Sequence, residues 1–372
     1  MKKFNILIMA MVLSLTTGCS GGKINNESNS NKPNYKNNIL VVYSNPRDSH
    51  SYIRVFNKDL KNIENKKIDE ITLCTGFQGY SYDDNNLYLD VYFQKKDGMK
   101  HYVEYMIDVN RNDLSYKKIN TKSSSVVDSF VFDKDFLYES KNGRGYANLY
   151  KHDKNDINKD NKVLKLKQSV MYRLFMDNDK LYSICNSWIW KGNTNEEKDK
   201  LLKSKDRIGI LEIDKNNLKI EKKLQFDDKL NRYFSDVFYK NKNKIYLGLA
   251  NDNSKDMVSY VIECNLNDFT QSSYKIGANE EIKQIVGIGN DVYAISSNAK
   301  SGNKSSIYKL EGSSKKKFKL MKNFDFTVEG GTSLDGSLYL LGNDKLYKLN
   351  DKLEIEKEVK IPAEYNNLIF AN

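Results

Sequence analysis

The sequence predicts an all-β chain wound as a seven-bladed β-propeller, and three observations lead there. A hydrophobic–Tyr pair recurs through the chain, each time opening a strand just after an Asn, Asp, Lys or Gly turn. Each pair sits between a shorter apolar strand and two further strands, the last one rich in lysine. The composition agrees, with 12% aromatic residues, 25 of them Tyr, only 3 prolines and no long helical pattern.

The pairs are Leu87-Tyr88, Leu137-Tyr138, Leu181-Tyr182, Ile245-Tyr246, Val292-Tyr293 and Leu338-Tyr339. Their starts lie 50, 44, 64, 47 and 46 residues apart. Four strands in a period of that length is the arithmetic of a propeller blade. The short strands before the pairs read as Gly79–Tyr82, Ser129–Phe132, Leu174–Met176, Asp236–Tyr239, Ile285–Ile288 and a weaker Thr332–Leu334. Third and fourth strands are joined by Asn- and Asp-rich turns such as Asn110-Arg111-Asn112-Asp113-Leu114 and Asp214-Lys215-Asn216-Asn217-Leu218. Asn and Asp bond their own backbone and tolerate left-handed geometry, as a tight hairpin requires.

Six such units fit between Ile71 and Ile361, and a seventh is split between the ends. Asn38–Tyr43 reads as its second strand, Tyr52–Phe56 as its third and Ile63–Ile68 as its fourth. Its innermost strand is supplied by the C-terminal Asn367–Phe370, which closes the ring and removes a free sheet edge. Six or eight blades are the alternatives. The 64-residue period holds an insertion, Ser187 to Leu202, read as a rim loop with a short helix capped by Asn193 or Asn195.

Residues 1–18 form a different kind of segment. Lys2 and Lys3 precede an apolar run from Phe4 to Leu15 that ends at Thr16-Thr17-Gly18-Cys19. A basic start and a short apolar run describe an export signal, and the run is short of the roughly 20 residues a membrane-spanning helix needs. With its cysteine directly after Gly18, the segment resembles a bacterial lipoprotein signal, although Thr16 stands where that family usually has Leu. The resemblance implies a lipid, palmitate-type chains on a diacylglyceryl group, on Cys19 and removal of what precedes it. Residues 19–37 are rich in Gly, Ser, Asn and Lys and read as a flexible tether, followed by the propeller at 38–372. Cell-membrane attachment on the extracytoplasmic face is therefore expected, with a monomeric propeller.

As a whole, the chain resembles the bacterial seven-bladed propeller lipoproteins and secreted propellers of quinoprotein-like or Kelch-like architecture. The WD dipeptide and the Ser-x-Asp-x-Gly-x-x-Trp box of sialidases are absent. The resemblance implies architecture alone, because propellers host unrelated functions.

Two of the 60 basic residues precede Cys19, so the mature chain carries 58 against 49 acidic ones, a charge of +9. The lysines are scattered singly, which suits a solvated surface near an anionic envelope rather than nucleic acid. Cys74, Cys185 and Cys264 are odd in number and far apart, so no disulfide framework follows, and the latter two read as small buried hydrophobes. The 3 histidines, His50, His101 and His152, fall in loops, turns or outer strands, and no metal site or cofactor is expected from them. The stretch Asp153–Asp160 lacks the glycine and glutamate of an EF-hand and reads as a solvated hairpin.

The starts of the innermost strands, Gln78, Asp128, Arg173, Asp236, Lys283 and Glu329, are expected to ring the channel mouth. With Tyr172, Arg232, Tyr233, Trp188 and Trp190 they form the candidate ligand-facing patch, because Trp, Tyr and Arg dominate binding hot spots. The function expected is a noncatalytic cell-surface platform for a protein, peptide or glycan of the envelope. A polysaccharide hydrolase or lyase using Asp128, Asp236 and Glu329, or a sensor or accessory subunit of a membrane system, are the alternatives.

Overall fold

Seven antiparallel sheets surround one axis, and the strand order within each is the order of the repeat. The computed structural model describes residues 34–371 apart from 46–49, 74–78, 97–98, 102–104, 122–128, 144–145, 157–158, 160–161, 168, 188–193, 195, 197–207, 227–232, 252–257, 313–314 and 363–367. At 45, 73, 92–96, 99–101, 187, 208, 233–236 and 250–251 the backbone alone is described.

Blade 1 is the split one. Ile39–Asn45, His50–Phe56 and Asn62–Ile68 pair in sequence, and Leu368–Ala371 adds on the inner side of Ile39–Asn45. Leu40 faces Phe370 and Val42 faces Leu368 across that closing pair. Blade 2 is less regular. Its long strand Asn86–Lys96 meets Ile71–Leu73 and Tyr80–Tyr82 along one edge, so its innermost strand is in separate pieces. Blades 3 to 7 begin with the inner strands Ser129–Phe132, Ser169–Asp177, Tyr233–Asn241, Glu280–Ile288 and Val328–Leu334.

Several inner strands start earlier than their apolar pattern suggests, and the cause is a recurring bulge. The pairing register shifts around Tyr172 in blade 4, Lys283 in blade 6 and Glu329 in blade 7, and between Phe234 and Phe238 in blade 5. One extra residue reverses which face each following side chain takes, so alternation read along the sequence breaks there. Arg173 consequently lies midway along Ser169–Asp177 rather than at its start.

Each sheet buries both faces against its neighbours. Among the described residues, the buried apolar side chains fall into seven clusters, one at each blade boundary. Leu40, Val42, Leu89, Ile107 and Phe370 join blades 1 and 2, while Ile39, Val41, Tyr339, Leu341 and Ile369 join blades 7 and 1. The outermost strands alternate Lys or Glu with small exposed apolar positions such as Val163 and Ile355, which blunts the free edges.

Five of the third-to-fourth turns, those of blades 1, 2, 4, 5 and 7, share one construction. Asn57, Asn110, Asp214, Asn265 and Asn350 each accept with a side-chain oxygen from the backbone N–H two residues on, at 2.7 to 3.0 Å. The left-handed residue is not one of these but the apolar residue ending the turn: Leu60, Leu114, Leu218, Phe269 or Leu353, with φ between 56° and 60°. Left-handed geometry costs an L-residue about 1–2 kcal/mol. Full burial of a leucine stabilises by about 1.5–3 kcal/mol, and the four leucines are at most 7% exposed, so burial wins.

Side-chain oxygens also tie one blade to the next. Ser297 donates to the Val328 carbonyl at 2.9 Å, and Ser305 accepts from the Val328 N–H at 2.9 Å. Ser44 and Ser51 treat Thr72 in the same way, at 2.8 and 2.9 Å. In blade 3, Asn142 does both jobs alone, giving to and taking from the Met171 backbone at 3.0 and 2.8 Å. Two of the recurrent Tyr hydroxyls reach the adjacent blade's outer turn, Tyr138 to the Lys215 carbonyl at 3.3 Å and Tyr339 to the Lys58 carbonyl at 3.0 Å.

Packing begins at Tyr35, inside the stretch read as tether. Its ring is buried, its hydroxyl donates to Glu64 at 2.8 Å and its N–H to the Asn112 carbonyl at 2.9 Å. His152, read as a turn residue, is instead a buried residue of the strand Tyr146–Asp153, because the turn starts one residue later. His50 opens the strand His50–Phe56 rather than lying in the loop before it. Asp153 does cap a hairpin, accepting from the N–H of Asn155 at 2.8 Å. The Ser187–Leu202 insertion falls almost entirely outside the described residues, as do residues 1–33, with Cys19 and Cys74.

Glu212 is 1% exposed beside Lys180 at 2.7 Å and Tyr182 at 3.2 Å. Burial alone would push its pKa up, but the bond and charge of Lys180 and the charge of Lys222 more than offset it, leaving the carboxyl below its ordinary value. A carboxyl depressed on folding stabilises above the unfolded value of about 4.3, and that stability is lost as pH falls through the folded value. Urea midpoints of the wild type and E212Q should therefore differ most near neutrality and converge below pH of about 4. A gap independent of pH would show that the pair is not what Glu212 contributes.

The turn construction makes a second prediction with an inverted order. Leu218→Ala loses the buried side chain and keeps the strained backbone, whereas Leu218→Gly loses the side chain and relieves it. Both should destabilise, with the glycine variant the more stable by about 1 kcal/mol in chemical denaturation. The usual order, alanine above glycine, would refute the strain argument.

Candidate functional site

The inner strands converge on the axis but diverge too far to pair with one another, so side chains fill the space between them. Ser129 accepts from the Leu174 N–H at 2.6 Å, Ser333 donates to the Gly287 carbonyl at 2.6 Å, and Thr332 accepts from the Ala371 N–H at 3.0 Å. Inside this ring is a cavity of about 430 Å³ that receives residues from all seven blades. That volume falls within the range of small-molecule sites.

Its lining comes from the middle and the C-terminal ends of the inner strands. Blade 2 supplies Tyr80, Tyr82 and Asp83; blade 4 supplies Arg173 to Met176; blade 5 supplies Phe238, Tyr239 and Lys240. Blades 3, 6, 7 and 1 contribute mostly apolar or small groups, among them Val131, Ile285, Gly287, Gly331 and Ile369. Arg173 lies against rings from two other blades, its guanidinium carbon 5.8 Å from the Tyr80 ring centre and 5.2 Å from that of Phe238. Tyr82 stacks on Phe370 at 6.0 Å and 12°, with Arg111 over both rings at 5.5 and 5.7 Å.

The charges in and behind the wall are not equivalent. Lys240 is neutralised by Asp177 at 2.5 Å. Arg111 donates to the backbone carbonyls of Asp83 and, at 3.3 Å, Ala371, and burial lowers its pKa. Asp83 spends its carboxylate on the turn, accepting from the N–H groups of Asn85 and Asn86 at 2.8 Å each and from the Tyr88 hydroxyl at 2.9 Å. Arg173, among the described residues, has no carboxylate within salt-bridge distance. Tyr82 is 57% exposed and lines the cavity, and desolvation there raises its phenol pKa.

Tyr239 is positioned by an absence. A Cβ built on Gly287 would lie 1.8 Å from the Tyr239 hydroxyl oxygen, so the phenol can rest on the neighbouring blade only because that residue is glycine.

Of the residues singled out from the sequence, Arg173 lines the cavity. Tyr172 sits in the bulge beside it, where the register shifts. Lys283 and Glu329 occupy the corresponding bulges in blades 6 and 7, away from the cavity lining, and Lys283 pairs with Glu281 at 3.0 Å. Gln78, Asp128, Trp188, Trp190 and Arg232 lie outside the described residues, and of Tyr233 and Asp236 only the backbone is described. Tyr80, Tyr82 and Phe238 were missed. A hydrophobic–Tyr search along the second strands passes over the aromatic residues of the first.

Among the described lining residues there is no His, Cys or Glu, and no described group of His, Cys, Asp and Glu could hold a metal. Cys185 and Cys264 are buried free thiols; burial pushes the Cys185 pKa up to about 12 and raises that of Cys264 further. The arrangement can bind: it offers flat aromatic faces, one arginine edge and a rim of backbone-fixed turns.

Replacing Gly287 by Ala should displace Tyr239 from the axis while leaving the outer blades intact. The expected result is a changed near-ultraviolet circular dichroism signal with unchanged far-ultraviolet signal, and destabilisation of about 1–3 kcal/mol from overpacking. An unchanged tyrosine environment would show that the phenol does not rest there.

No family model matches the chain, and no curated protein is detectably similar to it in sequence. Solved structures do resemble it. A putative 6-phosphogluconolactonase from Bacteroides fragilis superposes with a TM-score of 0.56 at 10% identity, over 90% of this chain and 98% of that one. Another from Bacteroides uniformis gives 0.54 at 10% identity, over 90% and 100%. Apo AztD from Citrobacter koseri gives 0.50 at 8% identity, over 90% and 97%. Likeness at these identities establishes the architecture alone: the chain has the fold of a seven-bladed β-propeller with a recess on its axis.

Proposed function

We propose that this chain is a lipid-anchored, extracytoplasmic binding protein whose axial cavity and surrounding turns receive a ligand or partner of the cell envelope. The observation that carries the reading is the cavity itself, with its exposed Tyr82 and an Arg173 that no described carboxylate neutralises. Supporting the location is the segment Lys2 to Cys19, whose basic start, apolar run and terminal cysteine suit a lipid on Cys19. A lipid, a polar linker and a rigid ring together would hold one ligand-facing surface near the membrane without immersing it.

The binding reading is preferred to hydrolysis because the described cavity wall offers no free carboxylate pair. Asp83 is committed to its turn and Asp177 to Lys240. An acid and a base flanking a glycosidic bond would have to be about 5 to 10 Å apart and uncommitted.

Two measurements on intact cells test the proposal. Cys19→Ser should abolish labelling by a palmitate analogue and release the protein from the membrane fraction. A photoreactive phenylalanine analogue at Tyr82 should cross-link a ligand or partner, while the same group at Val163 on an outer edge should not. Equal cross-linking at both positions, or none at Tyr82 in correctly anchored protein, would refute the binding reading.

A further inference from the structure

Resting on that binding reading, we infer that the axial cavity is a receptor for a small organic monoanion, a carboxylate carried on a flat ring, with Arg173 as its counter-ion. The inference begins with what surrounds the guanidinium. Tyr80 from blade 2 and Phe238 from blade 5 contact it at 5.8 and 5.2 Å. Aromatic groups that stack on an arginine leave its N–H edges free, and those edges match a carboxylate in a two-point fork. The bulge at Tyr172 contributes by re-aiming the following side chain, a known use of bulges beside sites.

Charge bookkeeping in the wall then selects the ligand. A half-buried cation normally has a partner. The neighbouring cations have theirs, Lys240 in Asp177 and Arg111 in the carbonyls of Asp83 and Ala371. Arg173 has none among the described residues, and Asp83, the one acidic side chain among the described lining residues, is held by its turn. One unmatched positive charge suits one negative charge, which favours a carboxylate over a phosphate dianion. The rest of the wall mixes aromatic and apolar groups with the neutral polar side chains of Ser81, Gln284, Thr332 and Ser333, and the Tyr82 ring, 57% exposed and backed by Phe370, presents a face on which a flat body can stack.

The test uses the full chain purified in detergent, with benzoate, its neutral analogue benzyl alcohol, and inorganic phosphate as probes in calorimetric titrations at millimolar concentration. Benzoate should bind, benzyl alcohol and phosphate should bind at least about tenfold more weakly, and R173Q should lose benzoate by a similar factor while R173K retains part of it. Thermal melts of both variants confirm that they fold. Three results each overturn the inference: no benzoate binding, benzoate binding that R173Q leaves unchanged, or phosphate bound in preference to benzoate. The reading beneath it fails separately. A Tyr82 cross-link in cells that survives R173Q keeps the binding platform and removes the anion site, whereas absence of both removes both.

Discussion

Everything in this molecule depends on burying both faces of each small sheet against the next. A four-stranded sheet standing alone would expose both apolar faces, and an open row of sheets would still expose one at each end. Closing the row into a ring leaves no such face. The residues that close it are few: Leu368, Ile369 and Phe370 pair with the inner edge of blade 1 while filling the clusters on both sides of it. Because consecutive residues of a strand point to opposite faces, Ile369 packs toward blade 7 and Phe370 toward blade 2. That short strand therefore serves two interfaces at once, and ring closure is a packing event as much as a hydrogen-bonding one.

Local chemistry repeats around the ring because the same geometric problem repeats. At five of the outer turns a polar side chain caps the backbone and an apolar one plugs the core in a strained conformation. The opposite assignment, polar residue in the left-handed position, would relax the backbone and leave a hole. The Ser and Asn clamps solve another recurring problem, the backbone groups left unpaired where an inner strand starts beyond the reach of its neighbour. Unmet, each would cost roughly 1–3 kcal/mol. Asn142 replaces a serine pair in this role because its amide carries both a donor and an acceptor.

Much of this was legible in the sequence, and what was not has a definite physical origin. The Leu-Tyr pairs mark second strands because those strands are buried on both faces and follow capped turns, so their signal is local. The closing strand was legible for the same reason, as Leu368, Ile369 and Phe370 form an uninterrupted apolar run. Inner strands are harder. Their bulges at Tyr172, Lys283 and Glu329 break the two-residue period, so reading backwards from the apolar core stops too soon. Arg173 was picked out as a strand start and is a mid-strand residue; its stacking partners come from blades 2 and 5, and no pattern along one chain segment reveals that. Likewise Tyr35 sits in a polar stretch, and only its contacts with Glu64 and Asn112 bring it into the fold.

The contrast between rim and axis bears on function. The repeat makes the blades alike wherever they touch one another, since each must fit the same wedge. At the axis that constraint lapses, because inner strands face open space rather than a neighbouring sheet. A ring of identical residues there would be a symmetric channel, indifferent to which way a ligand enters. Here the contributions differ: aromatic rings and an aspartate from blade 2, an arginine from blade 4, a phenylalanine, a tyrosine and a neutralised lysine from blade 5, glycines from blades 6 and 7. Bulk and charge thus gather on blades 2, 4 and 5, and the glycine of blade 6 is what lets the Tyr239 ring of blade 5 rest against its neighbour. For the anion proposed above, such a wall would favour one orientation, with its charge toward Arg173 and its flat body on the Tyr82 ring. Asymmetry at the centre of a repetitive scaffold is the feature on which the proposed recognition rests.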